Sequence, residues 1–99
     1  MITMNSTKKM NDTKAAVLAQ KILNAGLVPD RMKPSVVGGI GITNVCGDKE
    51  SYVEISDKGE IHVVFSQGEE EPLIEKFEEE EIPNLVKQIY NYLGERDGI

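Results

Sequence analysis

The side chains best suited to catalysis in this 99-residue chain are its one histidine and its one cysteine. A histidine works as a general base only beside a nucleophile or an orienting carboxylate. Alternation places His62 on the outward side of a strand, across a hairpin from Glu54, and no serine or cysteine completes a set. Cys46 lies close to Asp48, and an acidic neighbour disfavours the reactive thiolate. We therefore predict no catalytic residue, and a minimal hydrolase using His62 is the weaker hypothesis.

The segment 36–45 contains three glycines, and glycine-rich segments can hold phosphate groups. Here the third glycine of a dinucleotide-binding fingerprint is missing, no Gly-Lys-Ser/Thr follows, and no helix opens after the segment. Glycine within a strand instead favours a bulge, or the close approach of another group. We interpret Gly38 and Gly39 as a bulge or bend, and Gly41 as a place where something packs closely over the sheet. The alternative is that Gly39, Gly41 and Thr43 form the floor of a small-ligand site.

Two glutamate runs, 69–71 and 78–81, could bind a cation or a basic partner. The Asp-x-Asp-x-Asp-Gly spacing of a calcium-binding EF-hand is missing, and one histidine with scattered carboxylates makes a poor transition-metal site. We predict no metal and no cofactor. A solvated loop, followed by carboxylates at the positive end of a helix, is the simpler explanation of the runs. The functional alternative is an acidic surface that engages a basic partner.

Charge is distributed unevenly along the chain. Residues 1–49 carry seven Lys/Arg and three Asp/Glu, a net +4, whereas residues 50–99 carry four and fourteen, a net −10. The basic residues are scattered without aromatic neighbours, so we predict no nucleic-acid binding. No apolar run approaches the roughly 20 residues that span a bilayer, and the N-terminus lacks a secretory signal. With one cysteine there is no internal disulfide, which is typical of a cytoplasmic protein.

The apolar periodicity predicts an α+β fold: an N-terminal helix, an antiparallel meander of about four strands and a C-terminal helix, packed in two layers. We expect residues 1–12 to be a disordered polar tail and residues 13–99 to form a single domain, with residues 28–35 as a linker. The predicted elements are a helix at 13–25, strands at 36–45, 51–56, 61–66 and 73–77, and a helix at about 81–94.

The outward residues of the 51–66 hairpin form the predicted interaction surface, and tyrosines of the second helix could extend it. If both helices pack on one face of the sheet, this surface stays open as an interaction patch or a homodimer interface. If a helix covers it, the same residues are ordinary core. Together with the second glutamate run, the candidate interaction residues are Tyr52, Glu54, His62, Val64, Glu78, Glu79, Glu80 and Glu81, and the helix tyrosines are Tyr90 and Tyr92.

Four segments carry a family resemblance: Pro34-Ser-Val-Val-Gly-Gly-Ile-Gly-Ile-Thr43, Tyr52-Val-Glu-Ile, Asp57-Lys-Gly-Glu-Ile, and a helix that begins near Ile82-Pro83. Over residues 34–93 they resemble a group of small uncharacterised bacterial proteins. Those proteins share a Pro-x-Val…Gly-Gly-Ile-x-Leu/Ile strand, a hairpin with an Asp-x-Gly turn, and a closing helix. The resemblance implies the same sheet-plus-helix fold and no particular activity.

Two functional hypotheses follow from these patterns. Because no catalytic set converges, we predict that the chain is not an enzyme but a small cytosolic protein–protein interaction module. An inhibitor, antitoxin or immunity protein whose acidic half meets a basic partner fits the charge split and the small size. The alternative is a small-ligand-binding protein that uses the glycine-rich strand face.

Overall fold

The computed structural model describes residues 13–35 and 38–94 of the chain. In order, this part forms helix α1, five strands, a short 3-10 turn at Glu79–Glu81 and helix α2. The strands make one antiparallel sheet in the order β1-β2-β3-β4-β5. The α+β class, the antiparallel meander and a helix at each end are confirmed, but the sheet has five strands, not about four. The bounds are α1 Lys14–Asn24, β1 Arg31–Pro34, β2 Ile40–Cys46, β3 Lys49–Ile55, β4 Ile61–Gln67, β5 Leu73–Phe77 and α2 Ile82–Leu93.

Helix α1 begins and ends close to its predicted bounds. The Thr13 hydroxyl accepts a hydrogen bond from the Ala16 N–H at 3.1 Å, which satisfies a backbone donor of the first turn. Gly26 follows the helix with φ at +115°, a conformation that favours glycine, and the Leu27 N–H returns to the Ile22 carbonyl. Leu27 is buried, so the end of the helix is fixed by packing as well as by its hydrogen bonds.

The additional strand, β1, lies within the segment predicted as the linker 28–35. All four of its residues, Arg31–Pro34, are exposed, so it has no buried alternation to reveal it. Its pairing with β2 continues beyond Pro34, where the Ser35 N–H bonds to the Gly39 carbonyl at 2.9 Å. Gly38 has φ at +89°, which agrees with the predicted bend. The predicted polar tail 1–12 and residues 36–37 lie outside the described residues.

Both helices pack on the same face of the sheet, where alternate residues of β2, β3 and β4 form the core. Ile22 of α1 and Leu85 and Ile89 of α2 are completely buried there, and the alternation predicted for the 51–66 hairpin is confirmed. The sheet residues of this core are Ile42, Val53, Ile55, Ile61, Val63 and Phe65. No helix in the described part of the chain is long and apolar enough to cross a bilayer.

Two polar side chains are buried within this core. Asn44 and Ser51 lie opposite each other on β2 and β3, and they are 2% and 0% exposed. The Asn44 Nδ2 donates to the Val28 carbonyl at 2.8 Å and so ties the chain before β1 to the sheet. Neither Asn44 Oδ1 nor Ser51 Oγ has a hydrogen-bond partner among the described residues. Asn44 therefore joins two segments at the cost of leaving polar atoms unpaired in the core.

Tyr90 and Tyr92 belong to the helix layer and do not join the outward side of the hairpin. The Tyr90 hydroxyl accepts from the Val28 N–H at 2.9 Å and donates to the Gly26 carbonyl at 3.1 Å. The Tyr92 ring packs on Phe65 with a centroid separation of 4.9 Å. The prediction that these tyrosines could extend the hairpin surface is therefore wrong. Both side chains instead hold α2 against the rest of the fold.

Candidate functional site

The four hairpin residues chosen from the sequence form two cross-strand pairs on the face of the sheet opposite the helices. Tyr52 pairs with Val64, and Glu54 pairs with His62. All four side chains are half-buried, and no helix of the described residues covers them. Partial burial, and then the negative charge of Glu54, raise the pKa of the Tyr52 hydroxyl above its usual range. The structure therefore brings these four residues together as one small patch.

Gly39 and Gly41, the two glycines near this patch, are covered by other residues of the chain. A Cβ at Gly41 would lie 2.4 Å from the Tyr52 Oη, so the close neighbour expected over Gly41 is the Tyr52 ring. A Cβ at Gly39 would lie 1.8 Å from the Ile55 carbonyl oxygen. Thr43 lies directly opposite Tyr52 in the sheet. Residues of β3 therefore already contact the backbone at Gly39 and Gly41, where a ligand would have to bind.

Ser35 is a neighbour of the patch that sequence reasoning missed. Its hydroxyl donates to Glu54 Oε2 at 2.8 Å, and Glu54 lies opposite His62. In serine hydrolases the hydroxyl proton passes to an imidazole, which a carboxylate orients. The observed bond instead joins the hydroxyl to the carboxylate. Ser35 lies at the end of β1, and without that strand nothing in the sequence places it near the hairpin.

The glutamates 78–81 lie at the start of α2, in the helix layer, and are not part of the hairpin patch. The Glu78 N–H bonds to Glu81 Oε1 at 2.8 Å in a reciprocal cap of this helical turn. The Glu79 carboxylate forms an ion pair with Lys21 of α1. The simpler of the two explanations, carboxylates that stabilise a helix start, therefore accounts for the contacts of Glu78 and Glu81, whereas Glu79 links the two helices. No group of three or more potential metal ligands occurs in the described part of the chain.

The Lys21–Glu79 ion pair predicts a pH-dependent contribution to stability. The hydrogen bond from Lys21, and then its charge, lower the pKa of the Glu79 carboxyl. A lowered folded-state pKa stabilises the fold above the ordinary glutamate pKa of about 4.3, and this contribution is lost as the pH falls through the folded value. We expect Lys21→Gln to lower the free energy of unfolding slightly at pH 7 and low salt. At a pH below the folded-state pKa of Glu79, where the carboxyl is protonated, the substitution should have no such effect.

Urea unfolding at both pH values measures this difference. Lys87→Gln is the matched control, because it removes the same charge from an exposed position of α2. Salt should weaken the effect of Lys21→Gln, since both partners are half exposed. An equal loss of stability at every pH would instead assign the effect to packing of the lysine stem.

A broad hollow of about 480 Å³ lies where the end of α1 meets the start of α2. Three of its lining residues are charged, and two of these, Lys21 and Glu79, pair with each other. The sequence carried no signal for this hollow, because its walls come from both ends of the chain. Its lining residues are Lys21, Asn24, Ala25, Glu79, Glu80, Ile82 and Pro83.

Among the described residues, the large apolar side chains with the highest exposed fraction lie on the edge strand β5. Leu73 is 63% exposed and Ile74 is 66% exposed. Ile74 lies opposite Val64, which lies opposite Tyr52, so the hairpin patch continues to this edge of the sheet. The sequence predicted an edge strand here from the position of Glu75, and it is confirmed.

Glutamates precede and follow this strand. Residues 68–81 contain eight glutamates and one lysine, a net charge of −7, whereas the whole chain has a net charge of −6. The excess negative charge of the protein is therefore concentrated around one edge of the sheet. We call residues 68–81 the acidic edge.

No family model matches this sequence, and no curated protein or solved structure shows a significant match to it.

Proposed function

We propose that this protein is a small protein–protein interaction module that binds a basic partner through the acidic edge. The observation that carries the proposal is the coincidence of the excess negative charge with Leu73 and Ile74, the two most exposed large apolar side chains of the described residues. Apolar residues rimmed by charges are typical of a protein interaction site. The charges steer a basic partner to the surface, and the apolar side chains are buried on contact.

The geometry favours the first glutamate run as the contact surface. Residues Glu69–71 are exposed in the loop before β5, whereas Glu78, Glu79 and Glu81 are engaged with their own helix start or with α1. The hairpin patch contributes Val64 and Tyr52 beside Ile74. Binding, and not catalysis, is the role that these groups support, and an inhibitor, antitoxin or immunity protein acts in this way. A cytoplasmic location is part of the same proposal, since the chain has a single cysteine and so no internal disulfide.

The test is charge reversal in two matched variants. The first replaces Glu69, Glu70 and Glu71 with lysine. The control variant replaces three exposed acidic residues elsewhere with lysine, and so has the same net charge as the first variant. These residues are Glu50, Asp57 and Glu60. We expect native lysate to yield a captured partner at about 50 mM salt and little at about 500 mM, because salt screens exposed charges. The first variant should lose the partner and the control should keep it.

Two outcomes would contradict the proposal. Capture that is equally weak in both triple variants would mean that overall charge, and not the acidic edge, attracts basic proteins. Capture that is indifferent to both variants and to salt would mean that the acidic edge is not used at all.

A further inference from the structure

The backbone of β5 has a free outer side, and the ladder between β3 and β4 shows which of its residues face outward. Hydrogen-bonded pairs alternate along an antiparallel ladder. At its two ends the Ser56 N–H donates to the Glu60 carbonyl at 2.9 Å, and the Gly68 N–H donates to the Asp48 carbonyl at 3.1 Å. Even-numbered residues of β4 therefore direct their backbone groups toward β3, and odd-numbered residues direct theirs toward β5.

The register of β5 then identifies its outward groups. Val63 pairs with Glu75, so the odd-numbered residues of β5 bond to β4. Ile74 and Lys76 direct their N–H and C=O groups away from the sheet. A strand that binds here would find two donors and the acceptors between them, in the spacing of a regular ladder.

The ends of this edge are closed. Pro72 precedes β5 and has no N–H to donate. The Glu78 N–H, which follows β5, is bonded to Glu81 Oε1 at 2.8 Å. Within the described part of this edge, the outward donors are therefore those of Ile74 and Lys76, which limits the partner strand to a short segment.

The opposite edge of the sheet is less able to receive a strand. The Ser35 N–H donates to the Gly39 carbonyl, so the odd-numbered residues of β1 bond to β2. Met32 and Pro34 face outward, and the proline has no N–H. A proline at a sheet edge is a common device that prevents strand addition. The two edges therefore differ, and β5 is the one that presents a ladder.

Charge identifies the occupant of the β5 edge. A second copy that pairs its own β5 here would bring another −7 against the −7 of the acidic edge, and its β1 offers a single donor. A segment with Lys or Arg at both ends meets glutamates on both sides of β5 instead. We propose that a short basic segment of the partner protein adds to β5 as a sixth, antiparallel strand.

The side chains of β5 specify the pattern of that segment. Residues directly opposite each other in a ladder share a face. The position opposite Ile74 would be apolar, since it continues the Tyr52–Val64–Ile74 row, and the position opposite Glu75 would be Lys or Arg. This inference rests on the proposed function and deepens it, because it names the chemistry of the partner and the way in which it binds.

The probe is the peptide Lys-Lys-Thr-Arg-Val-Leu-Lys-Lys, whose Arg-Val would lie opposite Glu75 and Ile74. Its matched control has proline in place of valine, which keeps every charge but removes a backbone donor. We expect the valine peptide to slow amide exchange of Ile74 and Lys76 in NMR spectra of the full chain, and to leave Met32 unchanged. Each net backbone hydrogen bond is worth about 1 kcal/mol, so the proline peptide should bind about fivefold more weakly.

A pair of protein variants makes the same test from the other side. Lys76→Pro removes an outward N–H without removing a bond to β4, whereas Lys76→Thr removes the same charge and keeps the N–H. We expect the first to weaken binding of the valine peptide about fivefold, and the second to change it little. Amide exchange of β4 in both variants verifies that the β4–β5 ladder is intact.

The outcomes separate this inference from the proposed function. If both peptides bind equally and Ile74 and Lys76 stay unprotected, the acidic edge binds basic segments but strand addition is wrong. If neither peptide binds at low salt, both proposals are wrong. Protection of these amides in the protein alone, rising with its concentration, would show a second copy on β5 and would also overturn the inference.

Discussion

Replacing Gly39 with alanine is expected to destabilise the protein by roughly 3 kcal/mol, a large fraction of the total stability of a small domain. Gly39 is buried immediately before β2, and an added Cβ would lie 1.8 Å from the Ile55 carbonyl oxygen. That oxygen belongs to the backbone of β3, so the clash can be relieved only if two strands separate. Urea unfolding of the variant measures the loss.

Gly41→Ala is the matched control, because it adds the same methyl group two residues further along the chain. Its Cβ would lie 2.4 Å from the Tyr52 Oη, which is the far end of a side chain that can rotate away. We expect Gly41→Ala to lower the free energy of unfolding by about 1 kcal/mol. The same substitution should cost less when it is made in the Tyr52→Ala variant, where the clashing ring is absent. Equal losses at the two glycines would contradict the close backbone contact of Gly39.

This pair also bears on the small-ligand alternative. Any substitution at Gly41 displaces the Tyr52 ring, so a lost ligand response in Gly41→Val could not distinguish a missing ligand contact from a rearranged patch. Thr43, which lies opposite Tyr52, is the better position to vary, because Thr43→Val keeps the shape of the side chain and removes only its hydroxyl. A ligand response that survives Thr43→Val would argue against a site on this face.

Helices and strands with one buried face could be predicted from the sequence, because burial of that face requires apolar residues at regular spacing. The hairpin of β3 and β4 alternates strictly, and α2 has an apolar stripe ended by Gly94, whose φ is +76°. Strand β1 has no buried residue and contains a proline, so it depends on backbone pairing with β2 and on side-chain bonds of the residues that flank it. Such a strand cannot be recognised from its own sequence, because only its pairing with β2 defines it.

The candidate site divides in the same way. The four outward hairpin residues could be placed together because alternation assigns them to one face. The role of residues 78–81 could not be assigned, since the glutamates that cap α2 and pair with Lys21 have the same composition as those in the loop before β5. The outward donors of Ile74 and Lys76 required the register of the whole sheet, which no local pattern contains.

Replacing Ile22 with alanine is expected to lower the free energy of unfolding by about 3 kcal/mol, because Ile22 is completely buried between α1 and the sheet. Val17→Ala is the matched control on the same helix, where the side chain is 45% exposed, and it should cost less than about 1 kcal/mol. The comparison isolates burial from the helix propensity of alanine, which favours both variants.

The form of the unfolding transition tests how α1 is connected to the rest. Ile22 belongs to the same buried cluster as Ile42 of β2 and Leu85 of α2, so the helix and the sheet should unfold together. We expect circular dichroism and tyrosine fluorescence to give coincident curves in the wild type and in Ile22→Ala. An early loss of helix signal, followed by a separate loss of the sheet, would mean that α1 unfolds independently of the sheet. The structure of the acidic edge would then depend on the sheet and α2 alone.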